Sequence, residues 1–160
     1  MKLTDALLQS HSQLRQIVEA WLSSEDLHHQ CVYFEQLWQQ FLVHEQAEAY
    51  IVFRVINDAM IQNPHFNEQS LDFAVNEHHY FEDFVEHIAA MPQDAIERPK
   101  LIKELICQLE SHMQHEEAYI FPRFAQQLTD EQHAQMVAIY LEKCREYNKQ
   151  PTPKYVETTS

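Results

Sequence analysis

The chain has 160 residues and no Gly, and its 25 acidic against 11 basic side chains give a formal net charge of -14. That length suits one domain with a sizeable core, while the absence of Gly argues against the tight φ > 0 hairpin turns of an all-β fold. The acidic balance argues against nucleic acid and membrane surfaces as partners. Three cysteines without close spacing (Cys31, Cys107, Cys144) read as reduced thiols rather than a disulfide frame or a Cys-based zinc site. The start turns polar at Gln9, unlike a signal peptide. No run approaches the ~18 apolar residues of a membrane span, so a cytoplasmic protein is expected.

Taken in chain order, four segments alternate apolar positions by three and four, the signature of amphipathic helices. The first carries Leu7, His11, Leu14, Val18 and Trp21 on its inner stripe. Ser23, Ser24 and Asp26 then offer cap oxygens for a second helix, with fraying or a kink expected near His28. Its stripe reads Leu37, Phe41, His44, Glu48, Ile51, Val55, and Asn63-Pro64 closes it, because proline disfavours helical geometry in the preceding residue.

Asn67 caps the third, with Leu71, Ala74, His78, Phe81, Val85 and Ile88. Pro92 and Asp94 lie in the next connection, and Pro99 suits the first turn of the fourth helix, whose stripe is Ile102, Leu105, Leu109, His112, Glu116, Tyr119. Pro122 should kink or end that helix. Thr129-Asp-Glu-Gln132 is a capping-box pattern for a short fifth helix to about Tyr147. The expected architecture is an all-α, up-down-up-down four-helix bundle over residues 1–147, with an extended or disordered tail over 148–160.

Each stripe is apolar except at His11, His44, Glu48, His78, His112 and Glu116. In an up-down bundle two residues share a depth when the turn lies at their sequence midpoint, and each residue of offset shifts the height by ~3 Å. The midpoint of His11 and the His44/Glu48 pair falls between 28 and 29, that from the pair to His78 at 62, and that from His78 to His112/Glu116 at 96. All three sit in or beside predicted connections, so six polar side chains should meet at one level. Two buried carboxylates beside four imidazoles need a compensating cation, and Lys and Arg are absent from the stripes. His and Glu four apart share a helix face and can ligate together. Imidazole and carboxylate without thiolate suit iron, with manganese or zinc as alternatives.

Histidine is abundant, with 11 copies, so one His-x-x-x-Glu is weak evidence; two copies on core stripes at one depth are what carry the reading. His28, His29, His65, His87 and His133 lie near ends or off the stripes, and His79 faces sideways beside His78. Glu82 is placed on a flank, although it completes a third such pair. His115 follows His112 by three and stays open as a ligand or an outer partner. Glu45 and Glu77 read as outer partners of the ligands or as surface charges. The two halves also form a weak repeat: His44-Glu-Gln-Ala-Glu-Ala-Tyr-Ile aligns with His112-Met-Gln-His-Glu-Glu-Ala-Tyr-Ile after a one-residue slip behind the Glu.

His11, His44-x-x-x-Glu48, His78 and His112-x-x-x-Glu116, followed by Glu117-Ala-Tyr-Ile-Phe-Pro122, resemble the hemerythrin-like (HHE cation-binding) family over roughly residues 1–127. The resemblance implies a four-helix bundle around two non-heme irons with an oxo or hydroxo bridge, bridged by Glu48 and Glu116 and capped by the four histidines. Oxygen-carrying members use five histidines, with a His-x-x-x-His on the third helix and an Asp on the fourth. Here Glu82 follows His78 by four, and Glu116 stands in place of the Asp. The ligand set is closer to the iron-sulfur-repair branch, without the Cys-containing N-terminal segment of that branch. The implied function is a di-iron protein binding or sensing O2, NO or peroxide, in stress response or iron handling. The alternative is a di-iron enzyme reducing peroxide or oxygen, or donating iron for cluster repair.

Overall fold

The structure, a computed structural model, describes residues 1–60 and 68–149, with side chains described for 1–52 and 79–149. The elements are α1 (Leu3–Leu22), α2 (Leu27–Met60), α3 (Glu68–Ala89), α4 (Arg98–His115), a π-helical turn (Glu116–Ile120), α5 (Phe121–Gln127) and α6 (Asp130–Asn148). All regular structure among the described residues is helical, and none of those residues has a positive φ, as a chain without glycine favours. No described helix is long and apolar enough to cross a membrane.

The helix starts follow local chemistry. Of the three cap candidates ahead of α2, Asp26 takes the role: its Oδ1 accepts from the His29 N–H at 2.9 Å, and its Oδ2 contacts the His29 ring. Pro99 occupies the first turn of α4. Thr129 and Gln132 close the expected reciprocal cap at α6, with contacts of 2.9 and 3.2 Å. Asn63-Pro64, Asn67, Val55, Leu71, Ala74 and the tail from Gln150 lie outside the described residues or side chains.

α1 packs against α2, α5 and α6; α2 also meets α3 and α6, and α3 meets α4. The apolar residues segregate into two clusters. One holds Leu14, Trp21, Phe41, Phe81, Val85, Leu105 and Leu109 among others. The other holds Leu3, Leu7, Ala47, Ile51, Phe121, Phe124, Met136 and Tyr140.

One expectation, the inward placing of Tyr119, needs correction. The regular α4 stops shortly before Pro122, as expected: the chain widens into a π turn and continues as α5 to Gln127, with Pro122 in the first turn, where a missing N–H does least harm. Tyr119 is exposed, and Phe121 and Phe124 take the core positions, because the π turn shifts the register behind Glu116. The last helix, Asp130–Asn148, starts and ends within a residue of the expected bounds. It buries His133, Met136 and Tyr140, and the Nδ1 of buried His133 accepts from the Leu3 N–H at 3.2 Å. That contact ties α6 to the start of α1.

Candidate metal centre

A polar layer separates the two apolar clusters. His11 comes from α1, His44 and Glu48 from α2, and Glu116 from the first position of the π turn; all four are buried. One metal-capable atom from each lies within 4.8 Å of the others. Glu45, His112 and Glu116 form a second group within the same distance, and Glu116 belongs to both. The helical phase explains the division. His44 and Glu48 are one turn apart on one face, whereas Glu45 is rotated by about 100° from His44 and meets His112 of α4, with its Oε1 2.8 Å from His112 Nε2.

The imidazoles are aimed. The Nε2 atoms of His11 and His44 face each other at 3.1 Å. Behind them, His11 Nδ1 lies 2.8 Å from Glu117 Oε1, and His44 Nδ1 lies 2.9 Å from the Tyr140 hydroxyl. Each ring is held from outside and turns its other nitrogen inward. His44 Nε2 is 3.0 Å from Glu48 Oε2, and His112 Nε2 is 2.5 Å from Glu116 Oε1. Aromatic rings wall the layer: Phe41 and Phe81 stand edge-on to His112 at 6.0 and 5.5 Å, and Phe121 lies 5.2 Å from His11.

The electrostatics show what the layer lacks. Burial, then the Glu48 charge, push the Glu116 carboxyl well above the ordinary carboxylate range. Burial also raises Glu48, but hydrogen bonding with Glu116 and His44 outweighs it and holds that carboxyl low. Burial and the neighbouring His44 lower His11, against the pull of Glu117. Glu48 Oε2 and both Glu116 oxygens are buried, and although His44 Nε2 and His112 Nε2 lie close to two of them, none receives an aligned hydrogen bond. Orphaned carboxylate oxygens of this kind cost several kcal/mol each unless a cation meets them. Arg98, the buried arginine among the described residues, is engaged elsewhere, over the Phe34 ring at 5.3 Å and donating to Cys31 Sγ at 3.3 Å. The donor set, imidazole nitrogen and carboxylate oxygen without thiolate, fits a divalent transition metal.

Of the six residues singled out in the sequence, the structure brings together His11, His44, Glu48, His112 and Glu116. His78 falls on α3, and its side chain lies outside those described, as does that of Glu77. His79 is exposed, 3.7 Å from Glu82, and neither belongs to a cluster. His115 is exposed beside the Tyr119 ring at 5.1 Å and belongs to neither group. Glu45, read from the sequence as an outer partner or a surface charge, hydrogen-bonds His112 at 2.8 Å and stands with it and Glu116 in the second group. Its signal in the sequence was its place beside His44, about 100° around the same helix. Glu117 and Tyr140 were not singled out: Glu117 is the extra residue of the second motif, and Tyr140 lies 96 positions from His44.

A family model described as the hemerythrin HHE cation-binding domain matches residues 69–154, more than half of the chain. The chain belongs to this family. Comparison with curated proteins and with solved structures gave no match. The hemerythrin-like match runs from α3 through α6, past residue 127 where the sequence resemblance stops. His11, His44 and Glu48 lie ahead of it, and geometry joins them to the matched half. This hemerythrin-like chain therefore has a buried His/Glu cluster able to bind metal.

Proposed function

We propose that this protein is a non-heme di-iron protein that binds or senses O2, NO or peroxide, in stress response or iron handling. The observation that carries the reading is the pair of adjoining ligand groups sharing Glu116, whose buried carboxylate oxygens receive no aligned hydrogen bond. On this reading His11, His44 and Glu48 would hold one ion and His112 and Glu45 the other, with Glu116 available to both; the grouping leaves Glu48 with the first ion rather than between the two, as the resemblance implied. His78 of α3 is assigned to the same centre from its depth and phase in the sequence.

The helix pairings, α1 with α2, α2 with α3 and α3 with α4, support an up-down four-helix bundle as the frame, with α6 packed outside on α1 and α2. Bound iron would supply redox chemistry and a coordination position for a small ligand. The chain's own part is to fix the ring nitrogens, hold the Glu48 and Glu116 carboxylates side by side, and exclude water with Phe41, Phe81, Leu14 and Leu109, all buried. The partner is then a diatomic or peroxide ligand, with neither nucleic acid nor membrane involved.

Metal content and the absorption spectrum of protein from an iron-replete host, before and after azide or NO, test the proposal. About two irons per chain and a ferric charge-transfer band that responds are expected; a colourless iron-loaded protein indifferent to both ligands sinks it. One observation favours the second reading, an enzyme reducing peroxide or oxygen. The entry of Glu45 brings the carboxylates of the two groups to three, and carboxylate-rich di-iron sites lean toward oxygen activation. Steady-state peroxide consumption, lost in Glu48→Ala, selects that reading, and a single stoichiometric reaction selects the first.

A further inference from the structure

The second His-x-x-x-Glu segment is one residue longer than the first. Between Glu48 and the following Ala-Tyr-Ile nothing intervenes, whereas Glu117 stands between Glu116 and the same three residues. A helix absorbs one inserted residue by widening a single turn so that a hydrogen bond closes over five residues instead of four. The structure shows this at the site: residues Glu116–Ile120 form a π turn, and the Phe121 N–H bonds back to the Glu116 carbonyl.

The register change can be read in the burial. In the first segment Ile51, three residues after Glu48, is fully buried; in the second the residue three after Glu116 is Tyr119, which is exposed, and Phe121, five after, is buried against His11. The inserted Glu117 itself lies under α1. Its Oε1 is 2.8 Å from His11 Nδ1 and 2.8 Å from Arg15 Nη1, and the Arg15 guanidinium is fixed in turn by Glu110 at 3.0–3.2 Å.

We infer that Glu117 is the positioning residue for His11, and that the one-residue insertion, taken up as the π turn, is what places it there. An ionised carboxylate only accepts, so Glu117 fixes the proton of His11 on Nδ1 and leaves the Nε2 lone pair facing His44, Glu48 and Glu116. Arg15 Nη1, 2.8 Å from the same Glu117 oxygen, supplies the positive charge that pairs with this carboxylate. A ligating imidazole backed by a carboxylate is better oriented and more basic than an unbacked one, and removing such a partner typically costs about 10–100-fold in metal affinity. Because Glu110, Arg15 and Glu117 are part-exposed, the effect reaches the buried centre from the surface of α1 and α4.

The inference rests on the metal-binding reading above, so its test needs a readout that does not. In metal-free protein, ring-nitrogen NMR should show His11 with its proton on Nδ1, shifted downfield by the Glu117 bond. Glu117→Ala should lose that signature and populate the other tautomer, with helical content unchanged. Chelator competition with Fe2+ or Zn2+ should then give an affinity about 10–100-fold below wild type. Glu117→Gln, nearly isosteric and still an acceptor, should keep the Nδ1 proton with a weaker downfield shift and fall between the two in affinity. If the His11 tautomer and the affinity, within twofold, both stay at wild-type values in Glu117→Ala, the inference is wrong. Should Glu117→Ala fail to fold, a His11 signal and an affinity that both stay at wild-type values in Glu117→Gln overturn it equally. A wild-type protein that takes up no metal but shows the expected tautomers retires the metal reading and leaves the orientation of His11 standing.

Discussion

Glu116 is the residue on which the chemistry of the layer turns. It is buried, faces Glu48 and receives no aligned hydrogen bond at either oxygen, and burial followed by the Glu48 charge pushes its carboxyl well above the usual range in the metal-free protein. The linkage sign follows. A carboxyl whose folded-state pKa is raised contributes stability that is complete below its unfolded value of about 4.3. That stability is lost as pH climbs toward the folded value. The Glu116 contribution should therefore weaken on going from mildly acidic to neutral pH, opposed by that of His11, whose lowered pKa favours neutral pH, and metal uptake at neutral pH should release a proton. Glu116→Gln keeps the shape without the ionisable proton. We expect it to flatten that pH dependence, to raise the unfolding free energy of the metal-free protein near pH 7 by roughly 1–4 kcal/mol, and to abolish uptake at the shared position. Denaturant melts at several pH values, with and without chelator, check all three outcomes.

At the scale of elements, α6 contributes more than its position after the family motif suggests. Tyr140 projects from it to His44 Nδ1, and burial, followed by the influence of Cys144, raises its hydroxyl further, so that it stays protonated and neutral. His44 thus has a phenol behind it where His11 has a carboxylate, and the two imidazoles that face each other differ in donor strength. Tyr140→Phe removes one hydroxyl and preserves the ring in the cluster of Met136, Phe124 and Ile51. Metal affinity should fall about 10-fold or more, while the melting temperature of the metal-free protein moves by a few degrees at most; equal affinity in a chelator competition would rule out a role for α6 in the centre. The π turn makes a comparable contribution at the other end of the site, exchanging Tyr119 for Phe121 in the core.

At the scale of the whole molecule, the polar layer divides the core, so folding and metal binding are coupled. A ligand that binds only the folded state at 1,000 times its dissociation constant adds about 4 kcal/mol, which for a domain of this size corresponds to a rise of roughly 10 °C in Tm. Thermal melts with and without excess Fe2+ or Zn2+ should show a gap of this order, and it should largely vanish in Glu116→Gln. A metal-independent Tm would mean that the layer satisfies itself without a cation.

Most of the helices could be read directly from the chain, because burial against one core imposes a three-four spacing that local sequence records. Leu7, His11, Leu14 and Trp21, or Phe41, His44, Glu48 and Ile51, are buried as that spacing requires. The caps at Asp26, Pro99 and Thr129 were equally local, since each depends on a side chain reaching its own first turn. The meeting of His11 with His44 and Glu48 was accessible too, because an antiparallel pair with a known turn fixes relative depth. Periodicity does not report how neighbouring helices are rotated against one another, or which residue far along the chain backs a given ring. Those are properties of the packed whole. Only the tertiary structure decided that Glu45 meets His112, that a widened turn carries Glu117 to His11 and drives Tyr119 out of the core, and that Tyr140 of α6 reaches His44 across 96 residues of sequence.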